Sequence, residues 1–259
     1  AKPALVRRLG VYQRSRLCHK SSMSETALTF NRSAVRLHRD RAAAAPVDSD
    51  FLFVETAERL LDRLDDIKRG FPIALDLGCH GGQLAARLAG RGGIETLVQC
   101  DLSPVMAARA ARAQTYAVAA DEEALPFADA SLDLILSNLT LHWVNDLPGA
   151  LIQARRALKP DGLFLASMLG GNTLHELRTA LYEAETKIEG GLSPRVSPFA
   201  DVPDLGQLLQ RAGFALPVVD TEDITVSYGE PFKLMADLRA MGESNAVTLR
   251  RTSFSRRAT

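Results

Sequence analysis

Short hydrophobic runs alternate along the chain with longer segments in which hydrophobic residues recur every three or four positions. The five-residue run 73–77 ends at glycines and is typical of a buried strand, whereas the segment 50–69 has the spacing of an amphipathic helix. Further strands are predicted at 96–99, 116–119, 132–137, 163–167 and 215–228, and further helices begin near residues 84, 104, 148, 173, 204 and 231. This alternation predicts an α/β fold, with a mostly parallel sheet and helices on both faces.

Charge divides the chain into three parts. Residues 1–22 carry six basic residues and no acidic ones, and residues 246–259 carry four basic and no acidic ones. The remaining 21 basic and 31 acidic residues give residues 23–245 a net charge of −10. A body this acidic argues against nucleic acid as the main partner. We expect a poorly ordered basic leader over 1–45, one domain over 46–245 and a basic tail over 246–259.

The basic leader has two interpretations. Its Arg-rich, acid-free composition resembles a mitochondrial presequence, which places the protein in the mitochondrial matrix. Alternatively, Met23 is the natural start and the leader is translated upstream sequence, which places a bacterial protein in the cytoplasm. No hydrophobic stretch approaches the ~18 residues of a membrane-spanning helix. The three cysteines lack the C-x-x-C spacing of a redox or zinc motif, and a reducing compartment fits best.

Acidic and amide side chains follow the predicted strands where each one ends. In a parallel sheet these ends meet at one edge, close to the point where ligands bind. Glycines after the first strand allow a backbone to approach a ligand, and a carboxylate after the second can accept hydrogen bonds from both ribose hydroxyls. The strands end, in order, in Asp76 with Gly78 and Gly82, in Asp101, in Asp121 and Glu122, and in Asn138. Together these residues predict a nucleoside pocket.

The glycine turn separates two classes of nucleotide site. A dinucleotide fingerprint, G-x-G-x-x-G, would require glycine at positions 80 and 83, which are His80 and Gln83 here. A nicotinamide oxidoreductase is therefore disfavoured. Asp76 before the glycines suits a ligand with a positively charged end, such as the amino group and sulfonium of S-adenosylmethionine (SAM).

In these residues and their surroundings, the sequence resembles the class I SAM-dependent methyltransferases. The resemblance lies in sequence blocks at 75–82, 101, 120–127, 132–135 and 158–162. The resemblance implies a Rossmann-like fold with SAM as cofactor. It implies that Asp76, Gly78 and Gly82 surround the methionine part, Asp101 with Leu102 the ribose, Asp121 with Glu122 the adenine, and that Asn138 closes the pocket. His80 departs from the family pattern, which has glycine there, and its side chain would border the cofactor and narrow the pocket.

A closer resemblance joins the chain to the mitochondrial complex I assembly factor 5 family and its bacterial relatives, through residues 141–148, 170–178, 189–194 and 241–245. The biotin-pathway malonyl-carrier methyltransferases are a more distant match. The closer family implies action on an arginine of a complex I iron–sulfur subunit, described as a hydroxylation. Its members continue with more helices and a closing strand, so we expect a truncated carboxyl end and an exposed sheet edge.

The methyl acceptor is the least determined part. His142 and Trp143 follow the fourth strand on the acceptor side, where they would bind substrate and His142 would act as general base, or would form a packed aromatic corner. The five histidines show no pattern typical of a metal site. Two functions stay open. One is SAM-dependent methyl transfer to an unknown acceptor, and the other is respiratory complex I assembly, by arginine modification or with a SAM site that transfers no methyl group.

Overall fold

A five-stranded sheet forms the centre of the computed structural model, which describes residues 28–111 and 115–251. The strands are β1 (Ile73–Leu77), β2 (Thr96–Asp101), β3 (Thr115–Ala119), β4 (Leu132–Asn138) and β5 (Leu158–Ser167). They lie in the order β3-β2-β1-β4-β5, and every neighbouring pair is parallel. The predicted fold class is confirmed.

Eight helices connect or cover these strands in the described residues. They are α1 (Arg32–Ala42), α2 (Phe51–Asp65), α3 (Gln83–Arg87), α4 (Pro104–Ala110), α5 (Leu147–Ala157), α6 (His175–Ile188), α7 (Val202–Arg211) and α8 (Pro231–Met241). Single 3₁₀ turns lie at Val47–Asp50, Arg91–Gly93 and Leu141–Trp143. Ser103 caps α4 as predicted, because its hydroxyl accepts the Met106 N–H at 3.0 Å.

The two faces of the sheet are covered by different helices because successive strand residues point to opposite sides. Ala74 of β1 packs with α2 and α3 in one buried cluster, and Leu75 packs with α5 in another. Helices therefore lie on both faces, as the sequence predicts. Since β1 leads into α3 and β4 leads towards α5, the chain leaves these neighbouring strands on opposite sides of the sheet.

The segment Lys159–Gly162 is part of β5 and is not a turn that precedes the strand. Leu132 pairs with Leu158 and Leu134 pairs with Leu163, so residues 159–162 bulge out of the ladder between these two pairs. Asp161 has φ +59°, a left-handed conformation that a bulge accommodates. The Pro160-Asp161-Gly162 sequence thus forms a sharp local bend that lies inside the strand.

The strand predicted at 215–228 is wrong. These residues form no strand in the structure, and the side chains of Leu216 and Val218 are 91% and 87% exposed. A β-prone sequence needs a neighbouring strand to supply hydrogen bonds, and none lies beside this segment in the described residues. Glu222 is instead held on α2 by Arg59 and Arg63, at 2.8 and 2.6 Å.

The expected boundaries at residues 45 and 246 are also wrong for the residues that the structure describes. α1 packs beside α8, and Phe30 forms an antiparallel bridge with Val247. One buried cluster contains Phe30, Ala34, Val35, Trp143, Ala246 and Val247. Residues 28–45 and 246–251 thus belong to the domain, while the expectations for 1–27 and 252–259 lie outside the described residues. No helix in the described ranges is long and apolar enough to cross a membrane.

Candidate cofactor and acceptor sites

The turn between β1 and α3 is held by glycines that the local geometry requires. Gly78 has φ +74°, and a Cβ at this position would lie 2.3 Å from the Thr140 side chain. Gly82 has φ +84°, which also favours glycine. The N–H groups of Gly78 and Cys79 donate to the Cys100 carbonyl at 2.8 and 2.9 Å, which ties the turn to the end of β2.

Asp76 is a buried carboxyl group with no partner. Its side chain is fully buried, and neither carboxylate oxygen has a hydrogen-bond partner in the described part of the chain. Burial, followed by the charge of Asp101, raises the pKa of Asp76 to about 8. A buried polar group without a partner is the exception in native structures, and a cationic ligand would satisfy it.

Asp101, the predicted ribose ligand, organises the turn from the end of β2. Its two oxygens accept the N–H of Ser103 at 2.7 Å and the N–H of His80 at 3.1 Å. The guanidinium of Arg39 lies 3.4 Å from the same carboxylate, which is fully buried. Asp101 therefore lies where the sequence predicts, but it already has three partners within the chain.

Helix α1 contributes two arginines that the sequence analysis missed. Arg39 is 1% exposed and donates to Glu122 at 2.9 Å and to the Thr140 hydroxyl. Arg32 donates to Asp121 at 2.6 Å and also to Glu122. Burial alone would raise the pKa of Glu122, but the two guanidinium groups lower it to about 2. In the sequence, the local signal for this helix was Asn31, a capping residue that precedes a basic stretch.

The remaining predicted cofactor residues fall into different environments. Asn138 is buried at the end of β4, where its amide donates to the Phe53 carbonyl at 2.9 Å and accepts from Ser167 at 2.7 Å. Leu102 packs against the cluster that contains Trp143. Asp121 stays partly exposed beside Arg32. The structure thus gathers the predicted residues at the carboxyl edge of the sheet, with Asp121 at the rim.

His80 reaches from the glycine turn to the end of β4. Its Nε2 lies 3.2 Å from the carbonyl oxygens of both Asn138 and Leu139, and its ring stacks on Phe53 with a centroid separation of 4.2 Å. The side chain is 2% exposed, and burial followed by the charge of Arg39 lowers the pKa of His80. His80 is therefore neutral near pH 7, with Nε2–H donating to the carbonyls.

His142 is paired with an acid that the sequence analysis did not identify. His142 Nε2 lies 2.9 Å from Glu243 Oε2, and the Trp143 indole N–H donates to the same oxygen at 2.9 Å. Glu243 is separated from His142 by 101 residues and follows α8. Burial raises the pKa of Glu243, but His142 and its hydrogen bond bring it below the usual value. Nδ1 of His142 is buried and has no hydrogen-bond partner in the described residues.

A cavity of about 260 Å³ lies beside His142. Ten residues from separate segments line it, and none of them is acidic or basic apart from His142. They are Thr29, Phe30, Leu141, His142, Val144, Leu147, Met168, Pro198, Phe199 and Ala200. The cavity thus has mainly apolar walls beside the His142 imidazole.

Cys79 and Cys100 are buried free thiols whose pKa values are raised by burial. They line the first two strand ends and behave as small hydrophobic residues. Across residues 28–111 and 115–251, no group of three or more histidine, cysteine or acidic side chains has the arrangement of a metal site.

The methyltransferase-domain family matches residues 75–166, a range that contains the glycine turn and β1 to β5. The human protein named arginine-hydroxylase NDUFAF5, mitochondrial, is 45% identical over 240 residues, which cover 91% of this chain and 69% of that protein. The chain belongs to the methyltransferase-domain family. Within it, the malonyl-[acyl-carrier protein] O-methyltransferase of Methylovorus sp. (strain MP688) is 38% identical, over 87% of this chain and 78% of that enzyme.

Solved methyltransferase structures share the fold. A methyltransferase of Haloferax volcanii, bound to the Trm112 activator, aligns with a TM-score of 0.54 and 22% identity over 69% of this chain and 75% of the solved one. A SAM-dependent methyltransferase of Thermotoga maritima aligns with a TM-score of 0.53 and 21% identity, over 70% of this chain and 82% of the solved one. The protein thus has the class I methyltransferase fold.

Proposed function

We propose that the protein transfers the methyl group of SAM to a nucleophile that carries a proton, held in the cavity beside His142. The observation that carries this proposal is the 2.9 Å contact between His142, a residue that lines the cavity, and Glu243. A base that is oriented by a third group is the usual arrangement for removing a proton from a nucleophile.

The residues at the glycine turn fit the cofactor. Asp76, Gly78, Gly82, Asp101 and Asn138 would hold it, and the unpartnered carboxyl of Asp76 suits its positively charged end. When bound, SAM supplies an activated methyl group on a sulfonium. The protein's own part is to align the acceptor and exclude water, since the reaction disperses charge.

On the acceptor side, the carboxylate of Glu243 orients the imidazole of His142. The indole N–H of Trp143 donates to the same carboxylate oxygen, so the side chains of His142, Trp143 and Glu243 form one hydrogen-bonded unit. With Nε2–H donated to Glu243, Nδ1 is the atom that accepts the acceptor's proton. The apolar walls of the cavity keep water away from this atom.

The need for a base favours one class of acceptor over another. A carboxylate, such as that of a malonyl group, is already ionised at neutral pH and needs no base. A guanidinium or hydroxyl group must lose a proton before or during attack. The His142–Glu243 pair therefore favours an N–H or O–H acceptor. An arginine side chain belongs to this class, and the human relative that is 45% identical is named an arginine-hydroxylase.

The proposed location rests on the same relatives. The human, mouse and rat NDUFAF5 proteins are named mitochondrial and are each 45% identical to this chain. We place the protein in the mitochondrial matrix, with the bacterial cytoplasm as the alternative because bacterial O-methyltransferases are 34–38% identical. Subcellular fractionation of the tagged full-length protein would separate the two.

A methyl-transfer assay with labelled SAM tests the proposal. The acceptors would be an arginine-containing peptide of an iron–sulfur subunit and a malonyl thioester of acyl carrier protein. We expect label on the peptide, with kcat on the order of 10- to 100-fold lower in Glu243→Gln and a changed acidic limb of its pH–rate profile. Glu176→Gln, which removes an exposed carboxylate at the start of α6, is the matched control and should retain the wild-type rate and profile.

Two outcomes would contradict the proposal. The first is label on the malonyl carboxylate alone, with Glu243→Gln as active as the wild type. The second is label on the peptide at the same rate and with the same pH profile in the wild type and in Glu243→Gln, because Glu243 would then have no role in proton removal.

A further inference from the structure

The crevice at the carboxyl edge of the sheet lies between β1 and β4. In open parallel sheets, ligands bind where neighbouring strands send their connections to opposite faces. β1 leads into α3, which packs on one face, and β4 leads towards α5, which packs on the other. The space above the ends of these two strands is therefore where the cofactor has to bind.

The imidazole of His80 spans this crevice. Its backbone belongs to the turn after β1, and its Nε2 reaches the carbonyls of Asn138 and Leu139 at the end of β4, at 3.2 Å each. Phe53 of α2 covers one side of the ring, with a centroid separation of 4.2 Å. The side chain thus bridges the two strand ends that would otherwise frame the opening.

The backbone at this position is suited to glycine. His80 has φ +47°, in the left-handed region that glycine adopts freely and residues with a Cβ adopt uncommonly. Its N–H is held by Asp101 at 3.1 Å, and the ring is 2% exposed. The hydrogen bonds and the stacking on Phe53 therefore compensate for an unfavourable backbone conformation, and they hold the ring in one place.

We propose that His80 sets the affinity of this site for SAM, because its imidazole occupies the crevice in the free protein and has to leave the Asn138 and Leu139 carbonyls when SAM binds. The proposal rests on SAM being the cofactor. The side chain competes with the ligand, so the free protein binds SAM more weakly than the same site with a small residue at position 80. No other residue of the glycine turn places a ring in the crevice, since its neighbours are Cys79 and Gly81.

Calorimetric titration of SAM into the full chain tests this proposal. The proteins would be the wild type, His80→Gly, His80→Ala and the control His175→Ala, which removes an exposed imidazole at the start of α6. We expect both position-80 variants to bind SAM at least ten times more tightly than the wild type, and the control to bind like the wild type. Circular dichroism would establish that each protein is folded.

A second readout follows the ring itself. In the wild type, the ¹⁵N signal of His80 Nε2 should change on saturation with SAM, because its hydrogen bonds to the two carbonyls are broken. An unchanged signal in the saturated protein would overturn the proposal, since the ring would have stayed in place.

The binding results separate this proposal from the proposed function. Equal affinities for the wild type and both variants would overturn the role of His80 and leave methyl transfer intact. Tighter binding by His80→Gly but not by His80→Ala would also overturn it, because the backbone and not the ring would then be responsible. Folded proteins that all fail to bind SAM would instead remove the cofactor assignment, and with it both proposals.

Discussion

The cofactor crevice and the acceptor cavity lie side by side after β4 but are built differently. In the crevice, the side chains of Asp76, His80, Asp101, Glu122 and Asn138 are each 0–3% exposed. Most of them are bonded to other groups of the chain. The cavity beside His142 is open, apolar and free of acidic and basic side chains apart from His142. The crevice is thus maintained by polar contacts within the protein, whereas the cavity is maintained by packing around one hydrogen-bonded histidine.

The comparison teaches that two kinds of constraint meet at one edge of the sheet. Polar groups buried in the crevice must be paired, so changes there should alter stability and its pH dependence. The residues that line the cavity have few buried polar atoms that require hydrogen bonds, so substitutions there should alter function more than stability.

The largest expected effect comes from the buried arginine of α1. Arg39→Met keeps a long side chain but leaves Asp101 and Glu122 buried with one guanidinium fewer, so we expect a loss of about 3 kcal/mol in the free energy of unfolding. Urea denaturation would measure it. The control is Arg36→Met on the same helix, where the side chain is 56% exposed and the cost should stay within about 0.5 kcal/mol.

This loss should depend on pH with a defined sign. The pKa of Glu122 is lowered to about 2 from an ordinary value of 4.5, so its pairing with Arg39 and Arg32 stabilises the fold fully above about pH 4.5 and is lost as the pH falls through 2. The difference between wild type and Arg39→Met should therefore shrink in that window. A difference that is equal to that of Arg36→Met, or independent of pH, would contradict the role given to α1.

A smaller and opposite effect is expected at Asp76. Its pKa is raised to about 8 from 3.8, so between these values the folded protein keeps a proton that the unfolded chain has lost, and stability falls as the pH rises. Asp76→Asn cannot ionise, so its stability relative to the wild type should rise as the pH increases from 4 to 8. Thermal or urea unfolding at both pH values measures this difference. The same dependence of stability on pH in the wild type and the variant would show that the pKa of Asp76 is not raised in the folded protein.

The smallest effect is expected from the aromatic residue of the cavity. Phe199 and Phe53 each contact a histidine ring, at centroid separations of 5.8 Å to His142 and 4.2 Å to His80. Phe199 is half-buried at the cavity, and Phe199→Ala should cost less than about 1 kcal/mol. Phe53→Ala, at a residue that is 2% exposed, should cost about 3 kcal/mol in the same urea experiment. Similar costs for both would erase the proposed difference between the two regions.

The crevice was largely predictable from the sequence because its residues follow short strands at fixed positions. Asp76, Gly78, Asp101 and Asn138 each end a strand, and the parallel sheet brings such ends together whatever the loops do. The order of elements and the cap at Ser103 were accessible for the same reason. These features depend on local patterning and on the general geometry of α/β sheets.

The parts that the sequence did not reveal depend on contacts between distant segments. Glu243 reaches His142 across 101 residues, and Arg39 reaches Glu122 across 83, and no local pattern encodes either pair. The segment 215–228 has β-prone residues, but a strand also requires a partner strand that the pattern cannot supply. Likewise, the basic, Ala-rich sequence of α1 did not reveal a buried helix, because its buried side includes Arg39, which is paired only in the folded protein.

The most direct test of the account is an NMR map of where SAM binds. Amide spectra of the ¹⁵N-labelled full chain would be recorded during titration with SAM, and with NAD as control. The account predicts SAM-dependent shifts centred on Gly78, Gly82, Asp101, Leu102 and Glu122, with no comparable shifts for NAD. Shifts confined to residues away from the carboxyl ends of β1, β2 and β4, or the same shifts with NAD, would contradict the assignment of this crevice as the SAM site.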